Sequence, residues 1–586
     1  MTRSPRLLWL LGLTAALGAL LFIWRLGSIG QVDETPALFA AAGRAMADSG
    51  DWLTPRVNGH PRFDKPVLIY WLIGGLSLLP RSWDPLGSWA ASLPSALAMV
   101  AVMLALVLTV ALAGAPGQGD PWKALSAGLA FALSPLVLIW GRVSVSDPLL
   151  SACLAVALLG FWRSYARAGR GWPWASWLAL GLAILTKGPV ALVLAFGTLA
   201  SFGWVQRDLR GLQRALAPTR GLVLTLAVAL PWYGLVGARE GKAFWDSFFG
   251  YHNLQRFTQV VNHHAGPWWF YLPVLVIASL PVTPLLLLGL GEAFQGLPQR
   301  LPQPPAASLQ RFALCWLGVV VGLFSLSATK LASYLLPGLP AIALLVALAS
   351  GPSPWLGRAR WGSVALAALV GAGLGAAQIW VPLIHDPEMP GMAAQLLATG
   401  AVQRSGACFL LAALGGAGVL LWPGAGRAGV GPGWLVALQA PLILWQPLGL
   451  QPIAALGDQI RQQPVRQISA AITKTIRAGE PLAMVGVNKP SLHYYTRQVV
   501  IYEGRPATGL RNLSERLSGQ SPTLLLVIDN TTASLPYWRS VPHGTIAQSG
   551  IYQLWRLGRP ALNQRALSLL RQGIPSTWRL PNPERY

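Results

Sequence analysis

The chain opens with an apolar run of twenty residues, LLWLLGLTAALGALLFIWRL at Leu7–Leu26. A helix of this length is long enough to cross the hydrocarbon core of a bilayer. The basic segment Met1–Arg6 precedes the run and no small-residue cleavage site follows it, so we expect a retained first span and not a removed signal peptide. This run therefore predicts an integral membrane protein with a first polar loop after Leu26.

The composition of the whole chain agrees with that class. Of 586 residues, 53% are hydrophobic and 11% charged, with a mean hydropathy of +0.49, which excludes an ordinary soluble protein. A net charge of +24 would indicate nucleic acid in a soluble chain. Here most arginines lie in short loops beside apolar runs, which is typical of cytoplasmic loops. Membrane lipids are therefore expected partners, and nucleic acid is not. The three cysteines lie apart in apolar runs and predict no disulfide framework.

Twelve further apolar runs predict about thirteen transmembrane helices in all. With Leu7–Leu26 the predicted spans are Leu86–Ala113, Pro121–Trp140, Pro148–Tyr165, Trp172–Leu185, Pro189–Val205, Gly221–Gly237, Trp268–Leu290, Phe312–Leu326, Leu331–Ala349, Trp361–Ile384, Gly406–Leu421 and Gly433–Leu448. The run Val67–Leu79 is shorter, and we expect it to be re-entrant or interfacial. Counting it as a crossing would place the Arg207–Arg220 cluster outside, against the positive-inside bias.

The composition changes after Leu448, where Gln, Arg, Ser and Thr become common. Short β-type runs are predicted at Leu482–Val487, Val499–Tyr502, Thr523–Ile528 and Ile551–Leu557. Helix-like pieces are predicted at Arg511–Leu517 and Ala561–Gln572. The sequence thus predicts an all-α polytopic membrane domain at residues 1–450, with a first outer loop at 28–85, and a small extracytoplasmic α/β domain at 451–586.

Several motifs that would identify an enzyme class are missing from the sequence. It has no P-loop, no H-E-x-x-H, no G-x-S-x-G and no paired C-x-x-C. It also has no D-x-D, so we expect neither a nucleotide cofactor nor a soluble-type nucleotide-sugar site. An enzyme acting on the outer side of a membrane without nucleotide needs a substrate that is already activated, and a lipid-linked sugar fits this need.

Ten short groups that contain polar or aromatic residues occur in order along the first 350 residues. They are Asp33-Glu34-Thr35, Ser49-Gly50-Asp51-Trp52, Asn58-Gly59, Phe63-Asp64-Lys65-Pro66, Ser146-Asp147-Pro148, Leu185-Thr186-Lys187-Gly188, Pro231-Trp232, Asn253-Leu254-Gln255-Arg256-Phe257, His264-Ala265-Gly266-Pro267-Trp268-Trp269 and Thr329-Lys330-Leu331-Ala332-Ser333-Tyr334. This ordered set resembles the aminoarabinose transferase family, which has the GT-C fold of polyprenyl-phosphate-dependent glycosyltransferases and is related to protein O-mannosyltransferases.

The resemblance implies a glycosyltransferase of the cell inner membrane, with its site on the periplasmic side. The donor would be a polyprenyl-phosphate-linked sugar, and the acceptor an envelope glycolipid, such as one like lipid A, or a protein. One departure concerns the residues after Asp33-Glu34-Thr35. The family often has a basic residue and a Tyr there, whereas this chain has Pro36 and Ala37, so another cation takes that role or the donor differs.

The resemblance also implies roles for three carboxylates. Asp33 is the candidate general base or acceptor-orienting group, Glu34 is its neighbour and partner, and Asp147 is a second carboxylate facing it across a cavity. The alternative for Asp33 is an N-cap of a helix Pro36–Ala47, and Asp147 before Pro148 has the same alternative.

Four residues are candidates for binding the donor phosphate. Lys65 is the first, because a cation there stabilises the charge of the leaving phosphate; its alternative is a side chain that snorkels to the interface. Lys330 and Tyr334 lie four residues apart near a helix start and could add contacts, and Arg256 binds either the donor phosphate or a lipid headgroup.

A metal site is a further hypothesis. By residue type, His263 and His264 together with Asp64 could bind zinc or another divalent ion, and in the family the positions of Asp64 and His264 resemble metal ligands. Other functions also stay open: a protein O-mannosyltransferase-like enzyme, a lipid or sugar transporter, and an inactive relative acting in assembly. A transporter would place its polar groups at mid-membrane, often within internal repeats, and neither feature is found in the sequence.

Overall fold

A computed structural model describes residues 5–80, 82–113, 120–167, 173–260, 264–295, 305–349, 354–422, 431, 433–517 and 521–578. In this part of the chain, seven helices are long and apolar enough to cross a membrane. They are Pro5–Ser28, Ser88–Ala111, Ser146–Ala166, Pro218–Glu240, Ser308–Leu326, Ala401–Leu421 and Gly433–Thr475. The protein is therefore a multi-pass membrane protein.

All thirteen predicted spans fall on helical segments. Beyond the seven long helices, two predicted spans are bent pairs, Tyr271–Ala278 with Thr283–Gln295 and Pro354–Gly375 with Ala377–Leu383. Three are shorter apolar helices, at Trp174–Lys187, Val190–Gln206 and Ala332–Leu348. The span predicted at residues 121–140 is two consecutive helices, Pro121–Ala132 and Pro135–Trp140.

The larger of the two bends lies in one predicted span. Within the region predicted as Trp268–Leu290, the two helices meet at an angle of 113°. The break contains Pro281, which has no backbone N–H to continue a helical hydrogen-bond ladder. The span predicted here is thus a bent pair of helices and not a single straight one.

The remaining elements of the helical domain are short and lie in its loops. The helices are Thr35–Ser49, Leu68–Ser77, Leu209–Leu216, Lys242–Trp245, Asp246–Gln255, Arg256–Thr258 and Met392–Thr399, and the strands β1 at Arg56–Val57 and β2 at His60–Pro61 form an antiparallel pair. Leu68–Ser77 is about 15 Å long at 1.5 Å per residue, which is too short to cross a bilayer core of about 30 Å. This length agrees with the prediction that residues 67–79 do not cross.

The C-terminal domain is a five-stranded mixed sheet with helices. Its strands are β3 at Leu482–Val485, β4 at Val500–Glu503, β5 at Thr523–Asp529, β6 at His543–Ser549 and β7 at Tyr552–Gly558, in the order β4-β3-β5-β7-β6. The first three strands are parallel, and β7 is antiparallel to β5 and β6. The helices are Ser491–Thr496, Ala507–Arg516, Asn530–Ala533, Pro536–Arg539 and Arg559–Arg571.

Four of the five strands were predicted from apolar runs, and β6 was not. The segment His543–Ser549 contains no run of apolar residues, and most of its side chains are exposed. A strand with little buried surface lacks the alternation that sequence reading depends on. The predicted α/β fold of this domain is nevertheless confirmed.

The two domains are joined by a helix and not by a loop. The helix Gly433–Thr475 continues past residue 450, where the composition changes. Polar residues such as Gln451 and Gln463 are compatible with helix, so the change in composition does not coincide with the end of the helix.

The positions of the outer loops test the count of crossings. Residues 33, 64, 147, 187, 256, 334 and 490 all line one cavity, so the loops that carry them share one side of the membrane. Two predicted spans separate each of these loops from the next one along the chain. Four predicted spans separate the loop before residue 334 from residue 490. The thirteen predicted spans satisfy this even parity, and a crossing by residues 67–79 would break it.

Candidate functional site

Two cavities meet where the outer loops converge. The larger, of about 780 Å³, is lined by Asp33, Glu34 and Asp147 among others, and we call it the polar cavity after these charged residues. The smaller, of about 390 Å³, is mainly apolar. Six residues line both: Asp64, Lys65, Lys187, His252, Arg256 and Tyr334. These six residues, which we call the junction, join an apolar space to a polar one.

The apolar cavity lies at the surface of the helical domain. Its lining includes Val193 and Leu254, which are 50% and 64% exposed. Phe249, Phe257 and Leu323 complete much of the wall. Exposed apolar side chains on a membrane domain face hydrocarbon, so this cavity suits an acyl or prenyl chain entering from the lipid.

Three cations lie at the junction. The Lys65 side chain is 14% exposed, and its ammonium donates to the Asp64 carbonyl over 2.9 Å. Arg256 has a buried Nε with no hydrogen-bond partner in the described part of the chain. Burial is the main cause that lowers the pKa of Lys65 to about 8; the charge of Asp64 opposes this shift, and repulsion by Arg256 and Lys187 adds to it. A group of cations with unused donors is a site for an anion.

Asp64 is the counter-ion of this group. Its Oδ2 accepts from Arg62 Nη2 over 2.7 Å and lies 3.5 Å from Lys65 Nζ, while its Oδ1 accepts from the Tyr70 hydroxyl over 2.8 Å. Burial alone would raise the pKa of Asp64, but the charges of Arg62 and Lys65 prevail and hold that pKa well below its usual range. Asp64 therefore stays ionised and holds two cations in place.

Asp33 lies in the polar cavity in a different environment. Its carboxylate accepts hydrogen bonds from the backbone N–H and the hydroxyl of Ser491, over 2.8 and 2.5 Å. Burial raises the pKa of Asp33 to about 6. The helix Thr35–Ser49 has Glu34 at its N-cap position, without a side-chain capping bond, so the capping alternative for Asp33 does not account for its position.

Asp147 also lines this cavity, in the first turn of the helix Ser146–Ala166. It forms an ion pair with Lys187, whose ammonium lies 4.5 Å from the ring centroid of Tyr334. The residue at the N-cap position is Val145 and no side chain caps the helix, so the capping alternative fails here too. The structure thus brings Asp33 and Asp147 to one cavity, as predicted.

One predicted phosphate ligand is placed elsewhere. Lys330 is buried and lines neither cavity. Its ammonium donates to the carbonyls of Ser325 and Ser327 over 2.8 and 2.7 Å. The short helix begins at Ala332, so Lys330 and Tyr334 do not share a helical face, and only Tyr334 lies at the junction.

The predicted metal ligands do not form a suitable site. Asp64 and His264 both line the polar cavity, but both Asp64 oxygens already accept from Arg62 and Tyr70 beside a second cation. Adding a divalent ion next to two fixed cations is electrostatically unfavourable. His263 lies outside the described residues, and within them no group of three or more His, Cys, Asp or Glu side chains could hold a metal.

Sequence reasoning did not select four residues that the structure places at the site: Arg62, Lys187, His252 and Ser491. Lys187 and His252 face the same side as the acidic loop, which was the available signal. Burial lowers the pKa of His252 to about 3, so its imidazole is neutral at the junction. Ser491 is 458 residues from Asp33 in sequence, and no local pattern points to it.

Comparison with known proteins finds similarity in both domains. Residues 64–234 match the family described as dolichyl-phosphate-mannose-protein mannosyltransferase. Residues 475–573 match the C-terminal domain of the cyanobacterial RgtA-type glycosyltransferases, a relationship for which the sequence alone suggested no motif.

Curated relatives match somewhat more than half of the chain. An undecaprenyl phosphate-alpha-4-amino-4-deoxy-L-arabinose arabinosyl transferase of Pseudomonas paraeruginosa is 33% identical over 320 residues, which is 54% of this chain and 54% of the relative. A protein of the same description from Sodalis glossinidius is 33% identical over 356 residues, 58% of each chain. The chain thus matches about half the length of these relatives.

A solved structure matches nearly all of the chain. The crystal structure of ArnT from Cupriavidus metallidurans bound to undecaprenyl phosphate has a TM-score of 0.75 and 22% identity, and covers 93% of this chain and 97% of that one. An apo structure of the same protein gives a TM-score of 0.74. The likeness at this identity establishes the architecture. This chain therefore has the GT-C fold, with a helical membrane domain and a C-terminal α/β domain, and the resemblance inferred from its sequence is confirmed.

Proposed function

We propose that this protein is a membrane glycosyltransferase that moves a sugar from a polyprenyl-phosphate donor to an envelope acceptor. The observation that carries the proposal is the junction, where an apolar cavity open to lipid meets a polar cavity at three cations. A polyprenyl chain fits the apolar cavity, its phosphate fits the cations, and its sugar then lies in the polar cavity beside Asp33. The relatives named above use an undecaprenyl-phosphate donor by their descriptions.

The chemistry follows from the placement of charge. Asp33 accepts the proton of an acceptor hydroxyl as the oxygen bonds to the anomeric carbon of the sugar. The bond between that carbon and the phosphate oxygen breaks, and the lipid phosphate leaves with one more negative charge than it had in the donor. Lys65, Arg256 and Lys187 stabilise this developing charge, which fills the cation role left open by Pro36.

The sugar and acceptor are proposed by class. The relatives favour 4-amino-4-deoxy-L-arabinose as the sugar, and a glycolipid such as lipid A has hydroxyl and phosphate groups at the outer surface that could accept it. The runner-up is a protein O-mannosyltransferase-like enzyme, favoured by the match of residues 64–234. Mass spectrometry of envelope glycolipids and glycoproteins from cells with and without the gene separates the two.

A direct assay tests the reaction itself. The purified chain is mixed with undecaprenyl-phosphate-linked 4-amino-4-deoxy-L-arabinose and lipid A in detergent, and sugar transfer is followed by mass spectrometry. Parallel reactions contain undecaprenyl-phosphate mannose and an acceptor peptide rich in Ser and Thr. We expect transfer in the first reaction and none with Asp33→Asn. Absence of transfer from every polyprenyl-phosphate donor would overturn the proposal.

We place the site on the periplasmic side of the inner membrane. The Arg-rich segment 207–220 lies on the other side by the parity of the spans, and arginine-rich loops face the cytoplasm. Ser49→Cys and Ser534→Cys, each in a chain whose three native cysteines are replaced, test this with an impermeant thiol reagent. Both should react in intact spheroplasts. Labelling of either one only after lysis would contradict the orientation.

A further inference from the structure

The C-terminal domain contributes directly to the polar cavity. The loop after β3 runs through Asn488, Lys489 and Pro490 to the helix Ser491–Thr496, and Pro490 lines the cavity. Ser491 is fully buried. Its N–H donates to one oxygen of Asp33 over 2.8 Å, and its hydroxyl donates to the other over 2.5 Å.

These two bonds fix the plane of the Asp33 carboxylate. Because each carboxylate oxygen has two lone-pair sites, one bond to each oxygen orients the group and leaves Oδ1 able to accept a proton. A third donor comes from the helix that joins the domains. With its amide nitrogen turned toward the cavity, Gln462 donates to Asp33 Oδ2 over 2.8 Å and to the Gln31 carbonyl over 3.2 Å.

Ser491 is itself held against the first outer loop. Two residues after it, His493 Nε2 accepts from the Asn58 N–H over 2.9 Å. The Asn58 side chain then pairs with the backbone of Val500 in β4 through two hydrogen bonds, of 2.8 and 2.7 Å. The guanidinium of Arg44 lies 3.9 Å from the ring centroid of Tyr494. These contacts hold the helix that begins at Ser491 in place. We therefore expect the Ser491 hydrogen bonds to restrict the movement of the Asp33 side chain.

We infer that Ser491 is a positioning residue: through it, the C-terminal domain sets the orientation and the proton affinity of the Asp33 carboxylate that receives the acceptor proton. This inference rests on the proposed function, in which Asp33 is the general base. A base held in one orientation is more effective than a free one, because the reacting atoms must be aligned within a narrow range.

The electrostatic surroundings of Asp33 predict the direction in which its pKa changes when the Ser491 hydroxyl is removed. Burial raises the pKa of Asp33, Glu34 raises it slightly, and the two Ser491 bonds and the charge of Lys489 lower it. Among the described residues, Tyr502 and Tyr552 are further titratable groups on which the Asp33 charge acts. Removing the Ser491 hydroxyl takes away a bond that favours the charged form, so the pKa of Asp33 rises further.

The test uses the full-length protein with three substitutions. Ser491→Ala removes the hydroxyl, Ser491→Thr keeps it, and Ser540→Ala changes an exposed serine of the same domain as a matched control. Transfer is measured from pH 5 to pH 9 with undecaprenyl-phosphate-linked 4-amino-4-deoxy-L-arabinose. For Ser491→Ala we expect the acid limb of the rate profile to move up by about one pH unit and turnover at pH 6 to fall roughly fivefold, because a smaller fraction of Asp33 is ionised there, with KM for the donor unchanged.

Ser491→Thr should restore the profile, and Ser540→Ala should leave it as in the wild type. A Ser491→Ala protein that keeps the wild-type acid limb and turnover overturns the inference. A variant that loses activity equally at all pH values and also has a lowered Tm overturns it as well, because that result describes a folding defect and not the loss of a positioning contact.

A second readout does not depend on transfer. Infrared spectra of the wild type minus those of Asp33→Asn isolate the protonated carboxyl band of Asp33, and its titration midpoint should rise in Ser491→Ala. An unchanged midpoint would show that Ser491 does not influence the pKa of Asp33. A wild type that transfers no sugar from any polyprenyl-phosphate donor refutes the proposed function instead, while the infrared titration still decides the contact with Ser491.

Discussion

Two carboxylates in one cavity have opposite surroundings. Asp64 lies between Arg62 and Lys65, and its pKa is held well below the usual range. Asp33 has no ion pair within 4 Å in the part of the chain that the structure describes, and burial raises its pKa to about 6. The same residue type is thus a permanent anion at one end of the site and a group that can take up a proton at the other.

This difference indicates that the two carboxylates have separate roles in the site. A general base must exchange a proton near the working pH, which Asp33 can do and Asp64 cannot. A cluster of cations needs a fixed counter-charge in a buried position, which Asp64 provides. Pairs of titratable groups whose environments push their pKa values apart often separate the acid–base role from the electrostatic role.

The strongest way to break this comparison is to neutralise the base. Asp33→Asn keeps the size and the acceptor oxygen of the side chain but cannot take up a proton. We expect transfer to fall by about 100-fold or more, the scale of a positioned acid–base group, with normal insertion and thermal stability. Initial rates of sugar transfer measure this, and near-wild-type turnover would show that Asp33 is not the base.

The next largest effect is expected at the cation end. Lys65→Ala removes a charge that stabilises the leaving phosphate, so turnover should fall more than apparent donor affinity. We expect a loss of roughly 10- to 100-fold, because Lys187 and Arg256 remain. Lys65→Arg should recover only part of it, since a planar fork replaces a compact ammonium.

The measurement for both Lys65 variants is the transfer rate against donor concentration in one detergent. If Lys65→Ala is fully active at saturating donor, the leaving-group charge is stabilised by Lys187 and Arg256 alone.

The pH profile sharpens the comparison with a smaller change. In the wild type, transfer should fall below about pH 6 as Asp33 is protonated and above about pH 8 as Lys65 loses its proton. Because the Asp64 charge raises the pKa of Lys65, Asp64→Asn should move the alkaline limb of kcat/KM down, on the order of one pH unit. The acid limb should stay in place.

Rates from pH 5 to pH 10 for the wild type and Asp64→Asn give both limbs in one experiment. A shift of the acid limb in Asp64→Asn, with the alkaline limb fixed, would reverse the roles assigned to the two carboxylates.

The smallest catalytic effect is expected at Lys330, the cation that lies away from the junction. Lys330→Met leaves the Ser325 and Ser327 carbonyls without their donor, which should cost about 1–3 kcal/mol of stability. The Tm should therefore fall, while turnover per folded molecule at 20 °C below that Tm stays within about twofold of the wild type. A turnover loss as large as that of Lys65→Ala, at unchanged Tm, would show that Lys330 does bind the donor phosphate.

The sequence by itself determined the parts of this protein that depend on local transfer free energy. Burying an apolar segment is favourable for each segment on its own, so thirteen runs could be placed and all coincide with helical segments. The same local logic placed four of the five strands of the C-terminal domain and missed β6, whose surface is exposed. Asp33, Asp147, Lys65 and Arg256 could be brought to one side because charge is kept out of lipid.

Only the tertiary structure decided which of those outer residues meet. Lys330 and Lys187 are both lysines in matched motifs on one side, yet Lys187 lies at the junction and Lys330 bonds to two carbonyls at the end of the preceding helix. The contact between Asp33 and Ser491 spans 458 residues. Hydrogen bonds and ion pairs depend on the direction and distance of individual atoms, and those are set by the packing of helices and domains against one another, which no window of sequence contains.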